Sequence, residues 1–176
     1  MILWHLGVTT LAVRYAFGDP AMDLRWVMLG SLLPDLIDKP VGSVLCHSHF
    51  GAHRLYGHTL LLPALVLGAA LVLTRRRSRA RKAMIVLVVG WLLHLVLDGV
   101  WTEPGSVLWP LFGWSFPETD PSALLPLLRS MVGSPTVWLG EGLGGAYLLY
   151  LARAHLGTGE ARSAFLRRGV IALRSR

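Results

Sequence analysis

Charge and cysteine are what this 176-residue chain has least of. Its single cysteine, Cys46, excludes an internal disulfide framework and a four-cysteine zinc site. Asp, Glu, Lys and Arg make up 15% of the residues, against roughly 25% in soluble domains. That shortage argues against a disordered chain and equally against an ordinary soluble one. Acids are the scarcer sign: ten Asp and Glu face seventeen Lys and Arg, for a net charge of +7. Apolar residues fill the rest, at 53% of the chain with a mean hydropathy of +0.54. On so apolar a chain a basic excess points to cytoplasmic loops and anionic lipid headgroups, and no specific nucleic-acid binding is expected. The length suits one domain, and the composition predicts an integral membrane protein.

Five apolar segments are candidates to span or nearly span a bilayer: Ile2 to Phe17, Leu24 to Ile37, Thr59 to Thr74, Ala83 to Trp101 and Pro135 to Ala154. At 1.5 Å per residue a 16-residue helix reaches about 24 Å, short of the roughly 30 Å hydrocarbon core. The expected architecture is therefore an all-α bundle of about five short transmembrane or partly re-entrant helices over residues 1–155, followed by a basic cytoplasmic tail over 156–176. No basic stretch precedes the first apolar run, so a cleavable signal peptide is not expected. The stretch Val107 to Pro126, rich in Pro, Trp and Phe, reads as an ordered loop at the membrane interface.

The basic residues cluster. Arg75, Arg76, Arg77, Arg79, Arg81 and Lys82 separate the third and fourth segments, and Arg153, Arg162, Arg167, Arg168, Arg174 and Arg176 close the chain. The positive-inside rule places both groups in the cytoplasm. Threading the segments from there brings His5, Asp35, Asp38, His58, His94, Asp98 and Glu141 to one, extracytoplasmic, face of an inner-membrane protein.

Ionisable groups inside membrane helices are costly and are functional candidates by default. His94 and Asp98, in HLVLD, share a helical face at a spacing of four and can hold a borderline cation such as zinc or manganese; the plainer reading is a His–Asp hydrogen bond locking two helices. Asp35 and Asp38, in PDLID, share a face at a spacing of three. Pro34 is expected to break the helix there and free Asp35 to enter a cavity, whereas Asp38 reads equally as an exposed helix end. His53 and His58 differ by five, so at least one belongs to a loop. Cys46, His47 and His49 form either a loop ligand set or a polar tip. Alone, His5 reads as a core histidine. Glu141, in WLGEGLGG, is a candidate ligand, general base or partner of a ligating histidine. Arg54 can clamp an anionic substrate through a bidentate guanidinium, or simply snorkel at the interface. The assembled imidazoles and carboxylates exceed what one tetrahedral zinc needs, which extends to a site for two ions.

In order, His5, GSLLPDLID, HRLYGHTLLL, HLVLDGVW and GSVLWPL resemble the YdjM-like proteins, also labelled LexA-binding, inner-membrane proteins assigned as metal-dependent hydrolases. That family is in turn similar to the zinc-dependent phospholipase C and P1 nuclease group. The resemblance covers roughly residues 1 to 150. It implies that Asp35, His58, His94 and Asp98 hold a first metal, that Asp98 and His5 reach a second, and that His53 or Asp38 completes a sphere. Two departures stand out: Gly57-His58-Thr59 replaces the family's usual Thr-His-Ser, and no later histidine cluster matches that of the third zinc, leaving Glu141 as the sole candidate there.

The leading expectation is a membrane-embedded hydrolase with one or two divalent ions, most simply zinc and otherwise manganese, acting on a phosphoester of a lipid or isoprenoid headgroup. Asp35 or Glu141 would orient or deprotonate the attacking water, with Arg54 on the phosphate. Its expected partners are membrane lipids. The rival expectations are a non-catalytic, metal-stabilised scaffold or regulator docking a cytoplasmic protein through its basic segments, and a metal or proton transporter.

Overall fold

The computed structural model describes residues 1–19, 21–41, 54–116, 129 and 132–171. Among these residues there are helices and turns and no strand. The principal helices are α1 (Ile2–Phe17), α2 (Leu24–Pro40), α3 (Leu61–Leu73), α4 (Arg79–Leu97), α5 (Pro135–His155) and α6 (Gly159–Arg168). Between α2 and α3 lies a 3-10 turn, Tyr56–His58, and after α4 come a second, Val100–Thr102, and one helical turn, Pro104–Val107.

Local chemistry sets these limits. Gly18, at φ 57°, closes α1 in a left-handed cap, and its N–H donates to the Arg14 carbonyl. Asp23 caps α2 by accepting from the Arg25 N–H at 3.1 Å. Ser78 does the same for α4 at the Arg81 N–H, which starts that helix four residues before the apolar run expected to define it. Gly99, at φ 63°, ends it, so the run expected to reach Trp101 stops at Leu97. The expected break at Pro34 does not occur: α2 continues through it to Pro40. Tertiary packing outweighs the lost amide donor, because Pro34 is buried and the Tyr56–His58 turn sits directly on it.

Two glycine crossings organise the bundle. A Cβ on Gly30 would lie 2.0 Å from the Leu87 carbonyl oxygen, and one on Gly90 2.3 Å from that of Val27, so α2 and α4 touch backbone to backbone. A Cβ on Gly7 would lie 2.4 Å from the Gly144 carbonyl oxygen, which brings α1 equally close to α5. Small residues of this kind permit close helix approach where apolar burial between helices drives little.

Buried polar side chains accompany a buried apolar core that includes Val27, Trp91 and Leu95. His5, Thr9, Thr10, Ser31, Asp38, His58 and His94 are buried, while Leu65, Val72, Leu73, Leu139 and Leu143 face outward. Helix α4, 19 residues long, is apolar and long enough to cross a membrane, and it is the one described helix to satisfy both conditions; α3 is apolar but has 13 residues. The segment after residue 155 carries α6 and then packs against α1 and α2. The Leu24 N–H donates to the Gly169 carbonyl at 2.9 Å, and Ile171 is buried with Val13, Leu24 and Val27.

Candidate metal centre

Asp35 near the end of α2, His58 in the turn before α3, His94 in the last turn of α4 and Asp98 at its C-cap converge at one end of the bundle. One ligand atom from each lies within 4.8 Å of all the others. His58 and His94 are buried and Asp35 and Asp98 partly exposed, so the cluster is closed toward the bundle and opens past its carboxylates.

The orientation of each imidazole is fixed from behind. Asp38, fully buried, stays out of the group of four. Its oxygens accept from the backbone N–H groups of Leu55 at 2.7 Å, Gly57 at 2.8 Å and His58 at 3.1 Å, and from His58 Nδ1–H at 2.7 Å. An ionised carboxylate only accepts, so a neutral His58 carries its proton on Nδ1 and presents a lone pair at Nε2. His94 Nδ1–H donates to the Ser31 carbonyl at 2.6 Å, which leaves its Nε2 bare in the same way. The two Nε2 atoms stand 3.4 Å apart. Asp98 Oδ2 lies 3.4 Å from the first and 3.6 Å from the second. Lone pairs and a carboxylate set face to face repel unless a positive charge lies among them. Imidazoles anchored through Nδ1–H by a carboxylate or a carbonyl are how metal-ligating histidines are usually held.

Asp35 closes the group, with Oδ1 3.8 Å from His58 Nε2 and Oδ2 accepting from Lys39 Nζ at 2.6 Å. His5 adds a third imidazole. Its Nδ1–H donates to the Met1 carbonyl and its ring stacks on that of His94 with centroids 4.3 Å apart. Its Nε2 is 2.9 Å from Asp98 Oδ1 but out of hydrogen-bonding alignment, a buried nitrogen without a hydrogen-bond partner. Asp98 therefore turns one oxygen toward His58 and His94 and the other toward His5.

Without a metal this geometry holds a proton. Burial pushes the His58 imidazolium down, but hydrogen bonds and charge from Asp38 and Asp98 outweigh it and raise the pKa to about 9. Burial pushes the Asp98 carboxyl up, and the imidazoles of His5, His58 and His94 gathered around it outweigh this and hold it well below the usual carboxylate range.

Arg54 stands at the rim. Its Nη2 donates to the Asp98 carbonyl at 3.1 Å and lies 4.0 Å from Asp98 Oδ2, while Nη1 pairs with Glu103 Oε1 at 2.7 Å. Glu141 is not one of the four residues whose ligand atoms converge. Its carboxylate accepts from the Leu3 N–H at 2.9 Å and the Trp4 N–H at 3.5 Å, satisfying the amide donors that open α1. Cys46, His47, His49 and His53 fall outside the described residues. Sequence reasoning missed Glu103 and the Ser31 carbonyl. Neither carries a spacing signal, since one pairs across 49 residues and the other acts through its backbone.

The sequence family described as YdjM inner membrane protein matches residues 2–159. The chain belongs to this family. The matched span contains His5, Asp35, His58, His94 and Asp98, together with the whole of α1 to α5. The family's description gives a location, the inner membrane, and names no reaction. No curated protein and no solved structure matches the chain.

Proposed function

We propose that this family member is a membrane-embedded, metal-dependent hydrolase that cleaves a phosphoester of a lipid or isoprenoid headgroup from the extracytoplasmic side. The observation that carries the reading is the pair of bare imidazole nitrogens 3.4 Å apart beside two carboxylates. Two nitrogens and two carboxylate oxygens suit zinc or manganese. Asp35, His58, His94 and Asp98 would hold the ion, and His5 with the second Asp98 oxygen offers the start of a site for another. A divalent ion held there would supply Lewis acidity toward a phosphoryl oxygen and lower the pKa of water.

The chain's own groups supply the rest. Asp38 and the Ser31 carbonyl keep two imidazoles in the ligating tautomer. Asp35, partly exposed at the opening, is placed to accept a proton from water. Arg54 can exchange its Glu103 contact for a substrate phosphate, which a guanidinium binds through two parallel N–H donors. Glu141, engaged at the start of α1, has no part in this scheme.

A second reading, a non-catalytic scaffold with a structural ion, is favoured by one feature: the four residues tie α2, the turn before α3 and α4 together. Closed coordination marks structural sites, whereas the opening past Asp35 and Asp98 favours catalysis. The test is turnover of soluble phosphomonoesters, phosphodiesters and a lipid phosphate by purified, zinc- or manganese-loaded protein. Release that Asp35→Asn and Arg54→Ala each reduce by at least tenfold supports the hydrolase. An ion retained by the wild type without turnover of any of the three favours the scaffold.

A further inference from the structure

A short loop beside the cluster carries an exposed apolar tip. Trp109 stacks on Phe116 with centroids 5.4 Å apart and meets Tyr56 edge-on at 5.2 Å, and its Nε1–H donates to the Trp114 carbonyl at 3.1 Å. These contacts close residues 109–116 into a fixed loop. Tyr56 is two residues from His58, and the Leu60 N–H donates to the Val107 carbonyl at 2.9 Å, so the loop is tied to the turn that supplies a cluster imidazole. With its base held by rings, its tip faces outward: Leu111 is 81% exposed, Phe112 69% and Trp114 81%. Contiguous exposed apolar side chains of this size mark a contact surface.

The neighbouring helix indicates what covers it. Helix α4 begins with Arg79, Arg81 and Lys82, and its uncharged run over 83–97 rises about 22 Å, somewhat short of the roughly 30 Å hydrocarbon thickness. With those cations at one membrane surface, Asp98 and the loop stand at the other. Headgroup depth is where tryptophan rings concentrate, each with an apolar body and one N–H to satisfy. Leu65 on α3 and Leu139 and Leu143 on α5 are exposed apolar side chains as well.

We infer that the tip of the 109–116 loop inserts into the headgroup region of the bilayer and holds the mouth of the cluster at the depth of lipid phosphates. This rests on the membrane-embedded reading above. It names a lipid phosphate, in place of a soluble ester, as the ligand that reaches Arg54 and the cluster from the side.

The experiment places spin labels at Phe112→Cys, Trp114→Cys, Leu65→Cys and Glu160→Cys, each in a Cys46→Ser chain, in phosphatidylcholine–phosphatidylglycerol vesicles. Collision with oxygen is compared with collision with an aqueous nickel chelate. The expected result ranks the labels by depth: 65 deepest, 112 and 114 at headgroup depth and at least fivefold less exposed to nickel than 160. Labels at 112 and 114 as nickel-exposed as 160, with 65 still deep, overturn the loop's insertion alone. A nickel-exposed 65 overturns the membrane-embedded reading itself. Short-range coupling between 112 labels on two chains assigns the tip to a second copy and overturns the lipid contact. As a check free of cysteine substitution, lipids brominated near the headgroup should quench the unaltered chain's tryptophan emission more than Trp114→Ser emission; equal fractional quenching contradicts the inference.

Discussion

At the level of single residues, the nitrogen of each histidine that carries the proton decides whether the cluster can ligate a cation. Asp38 is the most informative position because it touches no candidate ion yet fixes His58 and the turn that carries it through four hydrogen bonds, two of them to His58 itself. Asp38→Asn should lower cation affinity by about 10–100-fold, the usual effect of losing such a supporting carboxylate. Competition with a zinc-sensitive dye checks this, and unchanged affinity would show that His58 is oriented by something else. The pKa of about 9 at His58 sets a pH dependence. The metal-free cluster keeps its extra proton below that value, and a cation must displace it. Affinity should therefore rise by about tenfold per pH unit from 7 toward 9 and flatten above. A dye titration at several pH values tests the sign; affinity independent of pH would mean that His58 is already deprotonated at 7.

At the element scale the glycine crossings decide whether the cluster can assemble. Gly90 lies one turn before His94, and a methyl group there would meet the Val27 carbonyl at 2.3 Å. Gly90→Ala should force α2 and α4 apart, cost about 1–3 kcal/mol and weaken cation binding together with stability. Gly68→Ala on α3 meets nothing within 4 Å. It should be neutral, or stabilising by up to about 1 kcal/mol, because alanine restricts the unfolded backbone. Thermal unfolding in detergent separates the two, and equal effects would remove the crossing from the argument. The helices themselves were legible in the sequence. The run from Ile2 to Phe17 is helix α1 at both ends, and the other apolar runs each lie within a few residues of one. Two features were missed for different reasons: α2 survives Pro34 because a turn packs on it, a tertiary contact, whereas Ser78 starts α4 inside the basic loop through a local cap. Apolar periodicity reports neither.

At the scale of the whole molecule, charge placement in the sequence already grouped His5, Asp35, His58, His94 and Asp98 at one end, and the structure brings them together there. It could not say that Asp38 stands behind an imidazole, nor that Glu141 serves the start of α1, because a spacing rule gives a helical face and not the partner across it. The orientation proposed for the bundle has its own test. A cysteine at Ser78, in a Cys46→Ser chain, should resist impermeant maleimide in intact cells and react after the membrane is opened. Labelling from outside would invert the molecule and put the cluster on the cytoplasmic side.

Whether the buried imidazoles and carboxylates hold a cation is decided by the number of ions bound per chain. Elemental mass spectrometry on detergent-purified protein, prepared with zinc or manganese present, should find one or two ions in the wild type. His94→Ala combined with Asp98→Ala should abolish them while the protein remains folded by circular dichroism. Wild type and double variant equally devoid of metal would contradict the account and leave the cluster as a proton-bridged lock between helices.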